Sequence, residues 1–179
     1  MTQHSDAGTA TRGAKLAHLS MLDQAAFVAQ LGHLFEHSPW VAERAWASRP
    51  FPSLEGLHGA LVAAMYAADE ASQLSLLRAH PELGARAVQS GTLTAASRGE
   101  QRGAGLASCT DEEGERLGTL NRAYCEKFGF PFIIAVKGLG PAEILQALET
   151  RLCHGRAEEF EAAMAQVARI AYFRLEALL

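Results

Sequence analysis

Residues 127–138 read KFGFPFIIAVKG. From Phe128 to Val136 the run is almost wholly apolar, with Pro131 inside it and Gly129 and Gly138 near its ends. Within a helical chain these residues are either a buried strand or a buried irregular segment. A short apolar run fits either, because periodicity alone does not separate the two. The surrounding sequence decides.

Everywhere else the apolar residues fall at helical spacing, and Ala, Leu, Glu and Arg dominate. Upstream, LDQAAFVAQLGHLFEHS (22–38) places Leu22, Phe27, Leu31, Leu34 and Phe35 on a helical repeat that stops at Ser38-Pro39. WASRPFPSLEG (46–56) reads as a loop carrying Pro50 and Pro52. LHGALVAAMYAADEASQLSLLRAH (57–80) reads as one long helix closed by Pro81, since the residue before a proline is pushed out of the helical region. Residues 82–96 are mixed and broken by glycine. Asp111 to about Phe128 is helical again, with Leu117, Leu120, Tyr124 and Phe128 on one stripe. Pro141 opens a helix to Leu152, and Ala157–Leu178 is a long amphipathic helix. The expectation is an all-α, compact single-domain bundle of about seven or eight helices over residues 15–179. Residues 1–14, small and polar, read as a loose tail.

Composition narrows the function. The chain has 179 residues, 49% apolar and 20% charged, which suits a globular protein with its own core. Net charge is −4 with Lys and Arg scattered, so neither a nucleic acid nor a membrane surface is an expected partner. No apolar run is long enough to span a bilayer. The start lacks an apolar signal core and the end lacks an address such as SKL, so a cytoplasmic location is expected. Three cysteines, Cys109, Cys125 and Cys153, form no CxxC, as suits free thiols in a reducing compartment.

Four places carry candidate chemistry. His33-Leu34-Phe35-Glu36-His37 fits H-x-x-E-H, in which two histidines one helical turn apart grip a metal and the glutamate serves as base. A catalytic zinc needs a third protein ligand, and the helix stops at once with Ser-Pro. An exposed helix end, with His37 complementing the helix dipole, explains the residues as well. His80, last in its helix and pinned by Pro81, is presented from a chain turn, and imidazole is the natural proton carrier near neutral pH. Ser97-x-x-Glu100 has the form of a capping box. Gln101 beside Glu100, and Gly99, Gly103 and Gly105 nearby, exceed what a cap requires; a Glu and a Gln together suit a ligand rich in N–H and C=O groups. In the last helix, Phe160, Met164, Val167, Ala171, Arg174 and Leu178 share a face. Arg174 interrupts that stripe and needs an anionic or carbonyl partner there.

Together these residues resemble the 2-oxo-4-hydroxy-4-carboxy-5-ureidoimidazoline (OHCU) decarboxylase family. The resemblance runs through FV-x-x-LG-x-x-FE-x-SPW, RPF, AHPELG, S-x-x-E-Q-x-x-AGL, LN-x-x-Y-x-x-KFGFPFI and the terminal Arg174-Leu175, in order, over most of the chain. It implies an all-α homodimer that decarboxylates a small ureidoimidazoline to (S)-allantoin without cofactor or metal. It makes His80 the proton donor, with Glu100 and Arg174 also catalytic. The substrate-binding set it implies is Pro81, Ser97, Arg98, Gly99, Glu100, Gln101, Phe132, Ile133, Ile134, Ala135, Val136 and Arg174. Glu82 departs from the Asp that many members carry. On this basis FPFIIAV is expected to be irregular, with its backbone N–H groups facing the ligand, since sheet pairing would consume those donors and a helix would hide most of them. A zinc hydrolase built on His33, Glu36 and His37, and a non-catalytic helical adaptor, are the competing expectations.

Overall fold

The computed structural model describes residues 4–84, 93–106 and 109–179, and of residues 4–10 the backbone alone. Among the described residues there are nine α-helices and no strand, slightly more helices than the sequence predicts. They are α1 (His4–Met21), α2 (Gln24–Leu31), α3 (Trp40–Ala45), α4 (Leu54–Tyr66), α5 (Glu70–Arg78), α6 (Ala95–Gly103), α7 (Asp111–Phe128), α8 (Pro141–Leu152) and α9 (Arg156–Leu178). Residues 4–14, whose composition suggests a loose tail, are the first part of α1. No helix among the described residues is long and apolar enough to cross a membrane.

The chain forms two compact units, Met1–Gln73 with Ala171–Leu179, and Leu74–Ile170. In the first, α4 turns Leu54, Leu57, Leu61 and Met65 inward on a single stripe, beside Val41, Ala42 and Ala45 of α3. Phe27 stacks on Phe51 with ring centroids 5.6 Å apart. The long helix expected over 57–80 is two. Asp69 breaks it by capping α5, its carboxylate accepting the Ser72 N–H at 2.8 Å. The Gln73 side-chain amide meanwhile donates to the carbonyls of Tyr66 (2.9 Å) and Ala68 (3.0 Å) at the end of α4. α2 also ends earlier than expected, at Leu31, and a 3₁₀ turn (Gly32–Leu34) follows. A Cβ at Gly32 would come within 3.1 Å of Pro39 Cβ, so glycine permits this close approach.

The second unit is built around the irregular run. α7 starts with a true capping box, Thr110 with Glu113, and stops at Gly129, whose φ of 80° is the left-handed C-cap that glycine tolerates. The Arg78 side chain donates to the Gly129 carbonyl at 2.9 Å, fixing the exit direction. Residues 131–136 then run in neither helix nor strand. Their side chains are buried except at Ile134, which is half-buried. Tyr124, Phe128, Phe130, Phe132 and Phe160 form a contiguous aromatic cluster, with Tyr124 and Phe132 centroids 5.3 Å apart. The stripe expected on α7 is inward-facing at Leu117, Tyr124 and Phe128, whereas Leu120 is only half-buried and Asn121 takes a buried place.

Candidate active site

His80 follows α5 in a tightening turn: Ala79 N–H bonds to Ser75 O at 3.0 Å and His80 N–H to Leu77 O at 3.2 Å. His80 is 8% exposed, and its Nδ1 lies 2.9 Å from the Leu76 carbonyl. A carbonyl only accepts, so Nδ1 carries a proton, and Nε2 is the nitrogen that gains or gives one. Pro81 fixes the chain immediately beyond the ring.

The backbone after Pro81 is gripped from two helices. Gln101 of α6, 1% exposed, donates through Nε2 to the Glu82 carbonyl at 3.1 Å and accepts the Gly84 N–H through Oε1 at 3.1 Å. Asn121 of α7 donates to the Leu83 carbonyl at 2.8 Å. Gly84 has a φ of 132°, a conformation that favours glycine, and a Cβ there would crowd Leu117 at 3.3 Å. Gln101, expected among the substrate ligands, thus spends both ends of its amide on the turn that carries His80.

Around it, α6 is capped by Thr94, whose hydroxyl accepts the Ser97 N–H at 3.3 Å. Ser97 and Glu100 lie inside the helix rather than forming the capping box that their spacing suggests. Thr94 supplies the cap one turn earlier. Ser97 is buried, Glu100 and Arg98 half-buried, and Arg98 donates to the Leu93 carbonyl at 3.2 Å. Gly99 and Gly103 are exposed, and a Cβ at either would meet no atom of the protein within 4 Å.

In the irregular run, Ala135 N–H donates to Gln166 Oε1 at 3.0 Å. The carbonyl of Ile133 accepts from Arg151 Nη1 at 2.6 Å. Arg151 Nε also donates to Glu159 Oε1 at 2.8 Å, and the same oxygen accepts from Arg151 Nη2 and the Tyr124 hydroxyl. His154 Nδ1 meets Glu159 Oε2 at 2.8 Å. Burial, and then the Glu159 oxygen on its hydroxyl, push the Tyr124 phenol well above its ordinary value, so it stays a neutral donor. Sequence reasoning missed this cluster. The available signal was Arg151 continuing the buried α8 stripe of Ile144 and Leu148.

Arg174 lies in the other unit. Its guanidinium donates to Glu36 Oε1 at 2.9 Å and to the Leu34 carbonyl at 3.2 Å, with the two side chains 7% and 1% exposed. This dissolves the H-x-x-E-H pattern as a helical metal grip. The segment is a 3₁₀ turn followed by extended Phe35, His37 has a φ of 48°, both histidines are exposed, and Glu36 points inward to an arginine. Among the described residues no group of three or more His, Cys, Asp or Glu side chains is arranged to hold a metal.

The OHCU decarboxylase family profile matches residues 20–176. An OHCU decarboxylase from Halalkalicoccus jeotgali is 44% identical over 160 residues, covering 89% of each chain. The Mus musculus OHCU decarboxylase is 37% identical over 164 residues, 92% of each. The uric acid degradation bifunctional protein PucL of Bacillus subtilis is 43% identical over 157 residues, which are 88% of this chain and 31% of that one. Among solved structures, an (S)-allantoin synthase superposes with a TM-score of 0.73 at 32% identity, over 92% of this chain and 53% of that one. An OHCU decarboxylase crystallised in the presence of (S)-allantoin superposes with a TM-score of 0.64 at 26% identity, over 77% and 89% of the two chains. Fold and relatives define an all-α carboxy-lyase of urate degradation. The chain belongs to the OHCU decarboxylase family.

Proposed function

We propose that this chain converts OHCU to (S)-allantoin with His80 as the proton donor and with no metal or organic cofactor. The substrate carries its own electron sink. Its carboxylate sits on a ring carbon beside an unsaturated C=N bond. As CO₂ leaves, the bonding pair moves into that system to give an enol-like intermediate. The ring nitrogen of the former C=N bond takes up a proton, and the hydroxyl gives one up as it collapses to a carbonyl. A further proton delivered to one face of the ureido-bearing carbon sets the S configuration. The protein has to orient the substrate, exclude water and supply that proton.

The observation that carries this reading is the Nδ1–Leu76 hydrogen bond, which sets the imidazole tautomer at a turn held by Pro81, Gln101 and Asn121. Glu100 accepts the paired N–H groups of the ureido arm, a two-oxygen match. Arg174 takes a carboxylate or carbonyl oxygen. Pro81, Ser97, Arg98 and Gly99 complete the substrate's surroundings. The main chain of Phe132, Ile133, Ile134 and Val136 supplies N–H groups to developing negative charge, while the Ala135 N–H, held by Gln166, anchors the run between them. The enzyme works in the cytoplasm as a homodimer, which light scattering after size exclusion tests.

Circular dichroism at allantoin wavelengths, while urate is oxidised and hydrolysed in situ, tests the activity. Added protein should speed the appearance of one enantiomer. A rate and an optical signal unchanged by the protein would refute the proposal.

A further inference from the structure

The Arg151–Glu159 pair is an unusual occupant for the core of the second unit. Glu159 is 0% exposed and Arg151 8%. Stability does not call for such a pair, because an apolar pair of similar volume commonly does as well without the desolvation cost. The arginine also reaches beyond its carboxylate: its guanidinium covers the Phe132 ring at 4.7 Å to the centroid, and Nη1 holds the Ile133 carbonyl. Glu159 in turn is fixed by the Tyr124 hydroxyl and His154. Helices α7, α8 and α9 thus converge through one carboxylate on a single carbonyl oxygen of the irregular run.

A trans peptide is planar, so its C=O and the following N–H point in opposite directions. Pinning the Ile133 oxygen toward Arg151 therefore aims the Ile134 N–H away from Arg151. Ile134 is the half-buried residue in a run whose neighbours on both sides are buried. Among the described residues its N–H meets no protein acceptor, whereas the next amide, Ala135, is already taken by Gln166. A cationic donor on the carbonyl also withdraws charge through the peptide and strengthens the N–H at its other end.

We propose that Arg151, locked by Glu159, is a positioning residue for decarboxylation: by gripping the Ile133 carbonyl it orients and polarises the Ile134 N–H as a donor to the anionic end of the substrate as charge develops there. This rests on the decarboxylase reading above and adds a residue to it that touches no substrate. Arg151→Lys keeps a positive charge beside Glu159, but a single ammonium cannot hold the carboxylate and the Ile133 oxygen in the same fork geometry.

The test compares native protein and Arg151→Lys in the coupled (S)-allantoin assay, with folding monitored by circular dichroism. A donor that acts mainly on developing charge lowers kcat more than it raises KM. The expected result is a fall in kcat of about tenfold or more with KM changed by less than about threefold, smaller than outright loss of an oxyanion donor. A folded Arg151→Lys variant with native kcat overturns the proposal. Should that variant not fold, amide NMR of the native protein decides. The Ile134 N–H resonance should move on addition of (S)-allantoin, and an unmoved resonance at saturating product in protein that turns over OHCU overturns the proposal alone. Native protein without turnover sinks the decarboxylase reading, and this inference with it.

Discussion

Gln101 and Gly84 meet through a hydrogen bond of 3.1 Å from the Gly84 N–H to the side-chain carbonyl, while the other end of the same amide donates to Glu82 O. The side chain thereby acts as a buried clasp on the chain just past His80 and Pro81. Gln101→Ala should cost about 1–3 kcal/mol in stability, because it strands a buried backbone donor and acceptor. It should also lower kcat by loosening the histidine's turn. Gln101→Glu keeps the acceptor for Gly84 but sets a buried carboxylate oxygen against the Glu82 carbonyl, so its melting temperature should fall at least as far as that of Gln101→Ala. A native kcat in folded Gln101→Ala would remove the clasp from the enzyme's working parts.

His80→Ala should reduce kcat by about two to four orders of magnitude, the usual worth of a positioned proton donor. The fold should survive, with a stability loss of about 1–3 kcal/mol as a buried side chain and its hydrogen bond to Leu76 O are removed. Steady-state kinetics beside a thermal melt separate the two effects. Turnover within about threefold of native would refute the proton role.

Glu100→Ala should raise KM and lower kcat together, because a misaligned ureido arm loses the geometry needed for reaction. Glu100 is half-buried on α6, so its removal opens no core cavity and the melt should change little. Unaltered kinetics would take Glu100 out of the substrate's contacts.

Tyr124 gives an alkaline signature. Its folded-state pKa is raised, chiefly by burial and then by Glu159, above the ordinary value of 10.0. The folded state therefore holds a proton that the unfolded chain releases. Stability from this group is fully present below pH 10 and is lost as pH climbs beyond it. Thermal melts between pH 9 and pH 11 should show a decline that Tyr124→Phe makes shallower. An equal decline in the variant would assign the alkaline loss elsewhere.

The thiols should differ in reactivity. Burial first, and the Glu82 carboxylate second, raise the Cys125 thiol above its ordinary 9.0, and burial raises Cys109. Cys153 is exposed. Mass spectrometry after brief iodoacetamide treatment at pH 8 should find Cys153 labelled first, because the thiolate is the nucleophile and Cys125 holds little of it. Cys125 labelled as fast as Cys153 would contradict this order.

The helices were legible where local chemistry marks them. Thr110, Pro141 and Gly129 bound α7 and α8 within the sequence itself, and both helices occur as expected. The break between α4 and α5 was not legible, because Ala67 and Ala68 are good helix formers. What ends α4 is Asp69 and Gln73 satisfying backbone groups, a hydrogen-bonding outcome rather than a propensity. The irregular course of residues 131–136 could be read from its helical surroundings and Pro131. Its anchorage could not, since Arg151 and Glu159 reach it only through folding. The same limit applies to Glu36, which its spacing advertised as a metal-site base and the fold pairs with Arg174. Distant partners leave no trace in local periodicity.

The anatomy of residues 131–136 bears on how such an enzyme can change over time. Where a wall is lined by peptide groups and its side chains face a core, residue replacement there perturbs volume while the lining chemistry stays the same. Alanine scanning along it would report packing defects as lost activity, whereas amide-to-ester exchange at single peptides would report the lining itself. On the proposed substrate contacts, divergence in what the enzyme accepts would then fall to positions such as Glu100 and Arg98, whose side chains are partly exposed and can change identity without unsettling the interior.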